Sequence, residues 1–281
     1  MLSTFFKTKP VIDETSKAWI FDTFAWCITE LDGEFFTNDS KLVLPNNTFY
    51  PGSSSSVEEM ANTIFSNTMK YAGMTAWPIK LVSAERFIQK PMPQLLFASR
   101  LRGENCHISC KVSSINDTTP TIDIAFHASQ LNQPQDLIAY LVQIQASILV
   151  HQHNATHYDA NNSTNTYAPG GKEVLPQTID LVACFMGFGV IFANTAYQFK
   201  GGCGSCNNRN LNRQSALPEL ETVYALALFC VIKGIEVKQV KKELKSHLYK
   251  HFRQAHKEVS LYLQQTDNAE HKQLLLAHDK R

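Results

Sequence analysis

The sequence predicts an α+β fold with a small mixed sheet followed by a mostly helical C-terminal half. Three observations predict it. Apolar residues recur at helical spacing near the N-terminus, at Trp19, Ile20, Phe24 and Ile28. Four short β-rich pieces then follow one another, separated by polar turn clusters. From Pro134 onward, long apolar stretches of helical character dominate.

In chain order, "SKAWIFDTFAWCITELD" is the first helix, with Leu31 after its apolar face. "KLVLP" reads as a short strand stopped by Pro45, and "NNTFYPGSSSS" as a loop of turn formers. "SVEEMANTIFSNTMKYAGM" begins with a capping serine and two acids in its first turn. Its apolar face is Met60, Ile64, Phe65 and Met69, and Gly73 ends it. "IKLVS", "QLLFASRL", "CHISCKVS" and "TIDIAFH" are the strands of one sheet. A long helix opens near Pro134 and runs through "DLIAYLVQIQASILVHQ". A polar loop leads to a second apolar helix, from about Thr178 to Phe199, and a Gly- and Asn-rich loop follows. The third helix has Pro218 and two glutamates at its start and Gly234 at its end. The last begins near Val237, with Val240, Leu244, Leu248, Phe252, Ala255 and Val259 as one stripe. Nothing reads as a linker, so residues 1–281 are taken as one domain: helix and sheet to about 130, helices to about 265, then a polar tail.

The 281 residues are 44% apolar, which suffices for a sizeable core, and the net charge is +1. That balance gives no global attraction to nucleic acid. The longest apolar run, Leu181 to Ala193, is too short to span a bilayer and reads as a buried core helix. The N-terminus lacks the pattern of a signal peptide. Seven cysteines argue against a secreted disulfide framework. A cytoplasmic location is therefore expected.

Within the long helix, "YLVQIQASILV" carries Gln143, Gln145 and Ser147 on an otherwise apolar stretch. Buried polar groups are unfavourable unless they find partners. Several segments in order, "KLVLPNNTFYPG", "ASQLNQPQDLIAYLVQIQASILV", "IDLVACFMGFGVIFAN" and "ELETVYALALFCVIKGI", resemble a family of bacterial zincin-like proteins over roughly residues 15 to 260. That family carries His-Glu-x-x-His on its metal helix. Two histidines one helical turn apart grip a Zn²⁺, and the glutamate polarises a bound water. The resemblance places Gln143 and Ser147 at the two histidine positions and Ile144 at the glutamate. It places Pro176 near the third ligand and Asp180 at a retained acidic position. Glutamine and serine are poor zinc ligands, and Ile144 accepts no proton. The resemblance therefore implies a degenerate member, a pseudo-metallopeptidase: a scaffold or binding protein with a vestigial cleft, no resident cofactor, and a peptide or protein partner the sequence does not name. It says nothing of oligomeric state.

Two metal sites compete with this expectation. "HQHNATHYD" places His151, His153 and His157 close together, a set that could serve a metal-dependent hydrolase of another kind. His151 and His153 do not share a helical face, however. Cys106 and Cys110 with Cys203 and Cys206 could form a structural zinc site. On a strand the first pair would be separated by about 13 Å, too far for one ion without a bend. Cys27, Cys184 and Cys230 read as small core residues. The helix from 237 to 259 carries Lys238, Lys241, Lys242, Lys245, Lys250, Arg253 and Lys257. It is a candidate surface for an anionic partner or nucleic acid, against the simpler reading of a solvated amphipathic face. The "GFG" of the second apolar helix sits in the wrong context for a phosphate loop and reads as a kink or a close helix contact.

Overall fold

A computed structural model describes residues 9–52, 56–110, 120–156, 167–196, 213–265, 267 and 269–279. These residues form a mostly helical protein with two small pieces of sheet, an α+β arrangement. Helix α1 (Glu14–Glu30) is capped by Asp13, whose carboxylate accepts the Ser16 N–H at 2.9 Å. A short helix α2 (Gly33–Asn38), which periodicity did not predict, follows Asp32. Asp32 holds a left-handed backbone, φ 81°, that a non-glycine residue adopts at a cost. Its carboxylate offsets that cost by accepting the N–H groups of Phe35 (3.1 Å) and Arg102 (3.2 Å). Helix α3 (Val57–Ala72) has the expected caps, Ser56 at one end and Gly73 at φ 72° at the other.

The four β-rich stretches become β1 (Ile79–Ser83), β2 (Leu95–Phe97), β3 (Ile108–Cys110) and β4 (Ile122–Phe126). They do not make one sheet. β1 pairs in parallel with β4, and β2 pairs antiparallel with β3. "KLVLP" is extended but joins neither pair. The Val43 N–H donates instead to the carbonyl of Gly187, at 2.9 Å, on a helical kink.

The helical half is built around α4 (Pro134–Thr156), which packs on α3 and on the next two helices. Those two, α5 (Leu175–Ala183) and α6 (Gly189–Thr195), meet through a wide turn at Cys184–Phe188 that is broken at Gly187, φ 99°. The second apolar helix therefore starts before Thr178 and is kinked, and Gly187 is the kink that "GFG" suggested. The helical run Gly171–Thr195 is long and apolar enough, by length and composition, to cross a membrane, which corrects the shorter estimate. Its most apolar window is 72% buried inside the protein, as befits a core helix.

Helix α7 (Glu219–Ile232) lies between α6 and α9 (Ser246–Gln265), with the short α8 (Val237–Val240) before α9. The single helix expected from Val237 is thus two. Asn194 causes the break: its side-chain nitrogen donates to the Glu243 carbonyl at 2.7 Å and its oxygen accepts the Lys245 N–H at 2.9 Å. Those backbone groups are then unavailable to a continuous helix. The predicted stripe from Val240 to Val259 is nevertheless buried throughout. The expected polar tail is also a helix, α10 (Ala269–Asp279), packed on α1 and α9 through His271 and Leu274.

Candidate functional site

Helix α4 directs its polar side chains to different neighbours. Gln143 Nε2 donates to Asp180 Oδ1 on α5 (2.7 Å) and to the Gln214 carbonyl (3.0 Å). Gln145, fully buried, donates through Nε2 to Thr68 Oγ1 on α3 (2.8 Å). Gln152 accepts the Leu95 N–H of β2 (3.0 Å) and donates to the Pro93 carbonyl (2.7 Å). The position of a helix residue around the axis sets which element it can reach. These glutamines therefore act as cross-ties between α4 and the elements around it.

Asp180 is the centre of one such joint. It is fully buried, and its Oδ2 accepts the N–H groups of Ala216 (2.8 Å) and Leu217 (3.0 Å). The Arg213 guanidinium lies 3.6 Å from the same oxygen. Arg213 also stacks over Phe192, at 4.1 Å, and donates to Thr195 Oγ1 and Ser215 Oγ. Burial pulls its pKa down while Asp180 pulls it up. With the Gln143 amide on Oδ1, the carboxylate accepts three hydrogen bonds and has the guanidinium beside it. It fixes the segment that enters α7 against α4 and α5.

The positions that the resemblance singled out are thus only partly brought together. Gln143 and Asp180 meet, Ser147 and Ile144 are half-buried on α4, and Pro176 is exposed in the first turn of α5. One turn beyond Ser147, a groove of about 390 Å³ runs between α4 and the approach to α5. Val150, His151, Asn154, Tyr167, Lys172 and Leu175 line it. Gln143, Ile144, Ser147, Pro176 and Asp180 are not among the residues that line it.

The histidine site does not form among the described residues. His151 is exposed, whereas His153 is buried and its Nε2 lies 3.1 Å from Glu30 Oε2, with the Trp26 ring edge-on at 5.4 Å. Consecutive odd positions on a helix point apart, which separates the two. His157 lies outside the described residues. Of the proposed cysteine ligands, the buried Cys106 thiol donates to the Leu101 carbonyl (3.3 Å), and Cys106 precedes the strand that contains Cys110. Cys203 and Cys206 lie outside the described residues. Among the described residues no group of three His, Cys, Asp or Glu could hold a metal ion. Cys27, Cys184 and Cys230 are fully buried, and burial pushes each thiol well above its ordinary pKa, as expected of core cysteines.

Lys238, Lys241, Lys242, Lys245, Lys250, Arg253 and Lys257 are all exposed, and none pairs with an acid among the described residues. On α9 the cations sit opposite the buried stripe, the ordinary solvated side of an amphipathic helix.

Sequence reasoning missed Arg102 and Lys233, two buried cations that hold helix ends. Arg102 Nε donates to the Leu31 carbonyl (3.0 Å) between the rings of Phe35 and Phe185. Burial pushes its pKa down to about 10, so it stays charged at neutral pH. Lys233 Nζ donates to the carbonyls of Phe36 (2.6 Å) and Thr37 (3.0 Å). Neither has a local signal in the sequence, since their partners lie 71 and 197 residues away.

Comparison of the chain with family models, with curated proteins and with solved structures finds no match. What the fold and this region define is therefore a class only: a mostly helical α+β protein with a polar joint in its core and a groove beside it.

Proposed function

We propose that this is a non-catalytic protein, a scaffold or binding protein of zincin-like layout, whose former metal position has become a structural joint. The observation that carries the reading is the engagement of Asp180. Its carboxylate meets Gln143, Ala216, Leu217 and Arg213 in a fully buried setting, so it is committed to holding helices together and not to an ion. Ile144 supplies no base beside it. The groove beyond Ser147 is the surface left for a partner, and its mainly apolar lining with Lys172 and His151 suits a peptide or a protein segment. Cys27, Cys106, Cys184 and Cys230 are free thiols, which accords with a cytoplasmic setting.

Elemental analysis of the purified protein, paired with an assay on an unstructured protein substrate, tests this. Substoichiometric zinc and no hydrolysis are expected. Stoichiometric zinc together with hydrolysis that Ser147→Ala abolishes would defeat the proposal.

A further inference from the structure

A sheet of two strands leaves an outer edge on each, and such edges are either covered or used. Two of the edges here are covered by α4. The Tyr140 hydroxyl donates to the Ala125 carbonyl on the outer edge of β4 (2.9 Å), and Gln152 accepts the outward Leu95 N–H of β2 (3.0 Å). The outer edge of β1 has no such cover among the described residues. The Ile122 N–H donates to the Pro78 carbonyl at 2.8 Å, which fixes the phase of the parallel ladder. Pro78, Lys80 and Val82 therefore turn their main-chain groups to β4, and Ile79, Leu81 and Ser83 turn theirs to the other side. There the Ile79 N–H closes a tight turn onto the Trp77 carbonyl (2.7 Å). The Ile79 carbonyl, both main-chain groups of Leu81 and the Ser83 N–H have no hydrogen-bond partner among the described residues.

The two faces of β1 differ. Ile79 and Leu81 lie on the core side with their ladder neighbours Ile122 and Ile124. Lys80 lies on the outer side, exposed and without an acid partner among the described residues, because its ladder neighbour Asp123 is held by Lys90 at 3.1 Å. The chain leaving β1, residues 84–94, is exposed at every position but Pro93. Of the six large apolar side chains exposed among the described residues, it carries three, Phe87, Ile88 and Met92. Exposed apolar side chains that cluster mark contact surfaces. Together these features name an occupant. Alternating N–H and C=O groups along an edge are matched by an extended main chain. In antiparallel pairing one incoming residue exchanges both bonds with Leu81 and sets its side chain on the core side beside it. The next incoming residue falls opposite Lys80 on the outer face, where a carboxylate is favoured.

We infer that the outer edge of β1 binds an extended segment of a partner protein as an antiparallel strand, with alternate apolar residues on the core side and an acidic residue opposite Lys80. The site shares no residue with the α4–α5 groove, so neither reading depends on the other. Its test uses the full chain and the blocked peptide acetyl-Thr-Val-Thr-Ile-Glu-Val-Thr-amide. Calorimetry should show saturable, one-to-one binding, and hydrogen exchange should show new protection at the Leu81 and Ser83 amides. Methylating the backbone nitrogens of the peptide's valines and isoleucine, which point at β1, should abolish binding. Methylating that of its glutamate, which points away, should leave affinity within about twofold. Ser83 already holds φ −65°, the angle proline requires, so Ser83→Pro removes one outward N–H without straining β1. It should weaken binding about tenfold. Lys80→Glu should reverse the preference for glutamate over lysine at the peptide's acidic position, by about fivefold either way. No saturable binding up to about 1 mM peptide would overturn the inference. So would equal loss from the two methylations, affinity that Ser83→Pro leaves unchanged, or a glutamate preference that survives Lys80→Glu.

Discussion

Gly187 has no side chain because two segments meet there. Its φ of 99° lies in the region that residues with a Cβ rarely adopt, and a Cβ at this position would fall onto the Lys41 carbonyl oxygen. The same residue accepts the Val43 N–H. Gly187→Ala adds backbone strain and a clash against main chain that cannot swing away. It should destabilise the protein by roughly 3 kcal/mol or more, read from the midpoint of urea unfolding at constant slope. Asp32 shows the opposite arrangement: a non-glycine residue keeps a left-handed backbone because its carboxylate caps α2 and holds Arg102. At both positions backbone geometry decides the residue, and local helical or strand preference does not.

At the scale of elements, the helices are joined by polar side chains reaching from one to another across an apolar core. Phe36 stacks on Phe185 at 4.6 Å, and Lys233 enters this aromatic setting from the end of α7 to hold the last carbonyls of α2. A cation at a helix C-terminus satisfies both the orphan carbonyls and the dipole. Lys233→Met keeps the length of the stem and removes the ammonium. It leaves two carbonyls without this donor in a buried place, so about 3 kcal/mol of stability should be lost in chemical denaturation. Arg102 does the same for the end of α1, and Asn194 for the turn between α8 and α9. Helix α4 carries several such ties. Its glutamines tie it to α3, to α5 and to β2, and His153 ties it to α1.

At the scale of the molecule, α10 closes the structure by bringing residues near the C-terminus onto α1. His271 lies between Asp22 and Tyr262, with Nε2 2.9 Å from Asp22 Oδ1 and Nδ1 2.8 Å from the Tyr262 hydroxyl. A carboxylate only accepts, so in the neutral tautomer Nε2 donates to Asp22 and Nδ1 accepts the Tyr262 O–H. The ring also packs on Phe21, with centroids 5.1 Å apart. His271→Ala should release α10 without unfolding the rest. Hydrogen exchange should report lost protection at α10 amides, by about 2 kcal/mol of local opening energy, while α7 amides keep theirs. Loss of protection in both helices together would show that α10 belongs to the cooperative core.

The sequence by itself determined the helices α1, α3, α4 and α7, the four strand segments and the buried stripe of α9. Periodicity and capping residues are local signals, and they survive any tertiary arrangement. It also singled out Gln143, Gln145 and Ser147 as polar residues needing an explanation, because a polar side chain in an apolar helix is legible from its neighbours in the chain, whereas Asp180 is reached only through the resemblance. Only the tertiary structure decided that Gln143 and Asp180 bond to each other, that the strands form two pairs, that His153 turns toward Glu30, and that the polar tail is a docked helix. Each of these depends on what another segment, often more than a hundred residues distant, presents at hydrogen-bonding range. A hydrogen bond needs its partner within about 3 Å and correctly aimed, and no pattern within one segment encodes the position of another.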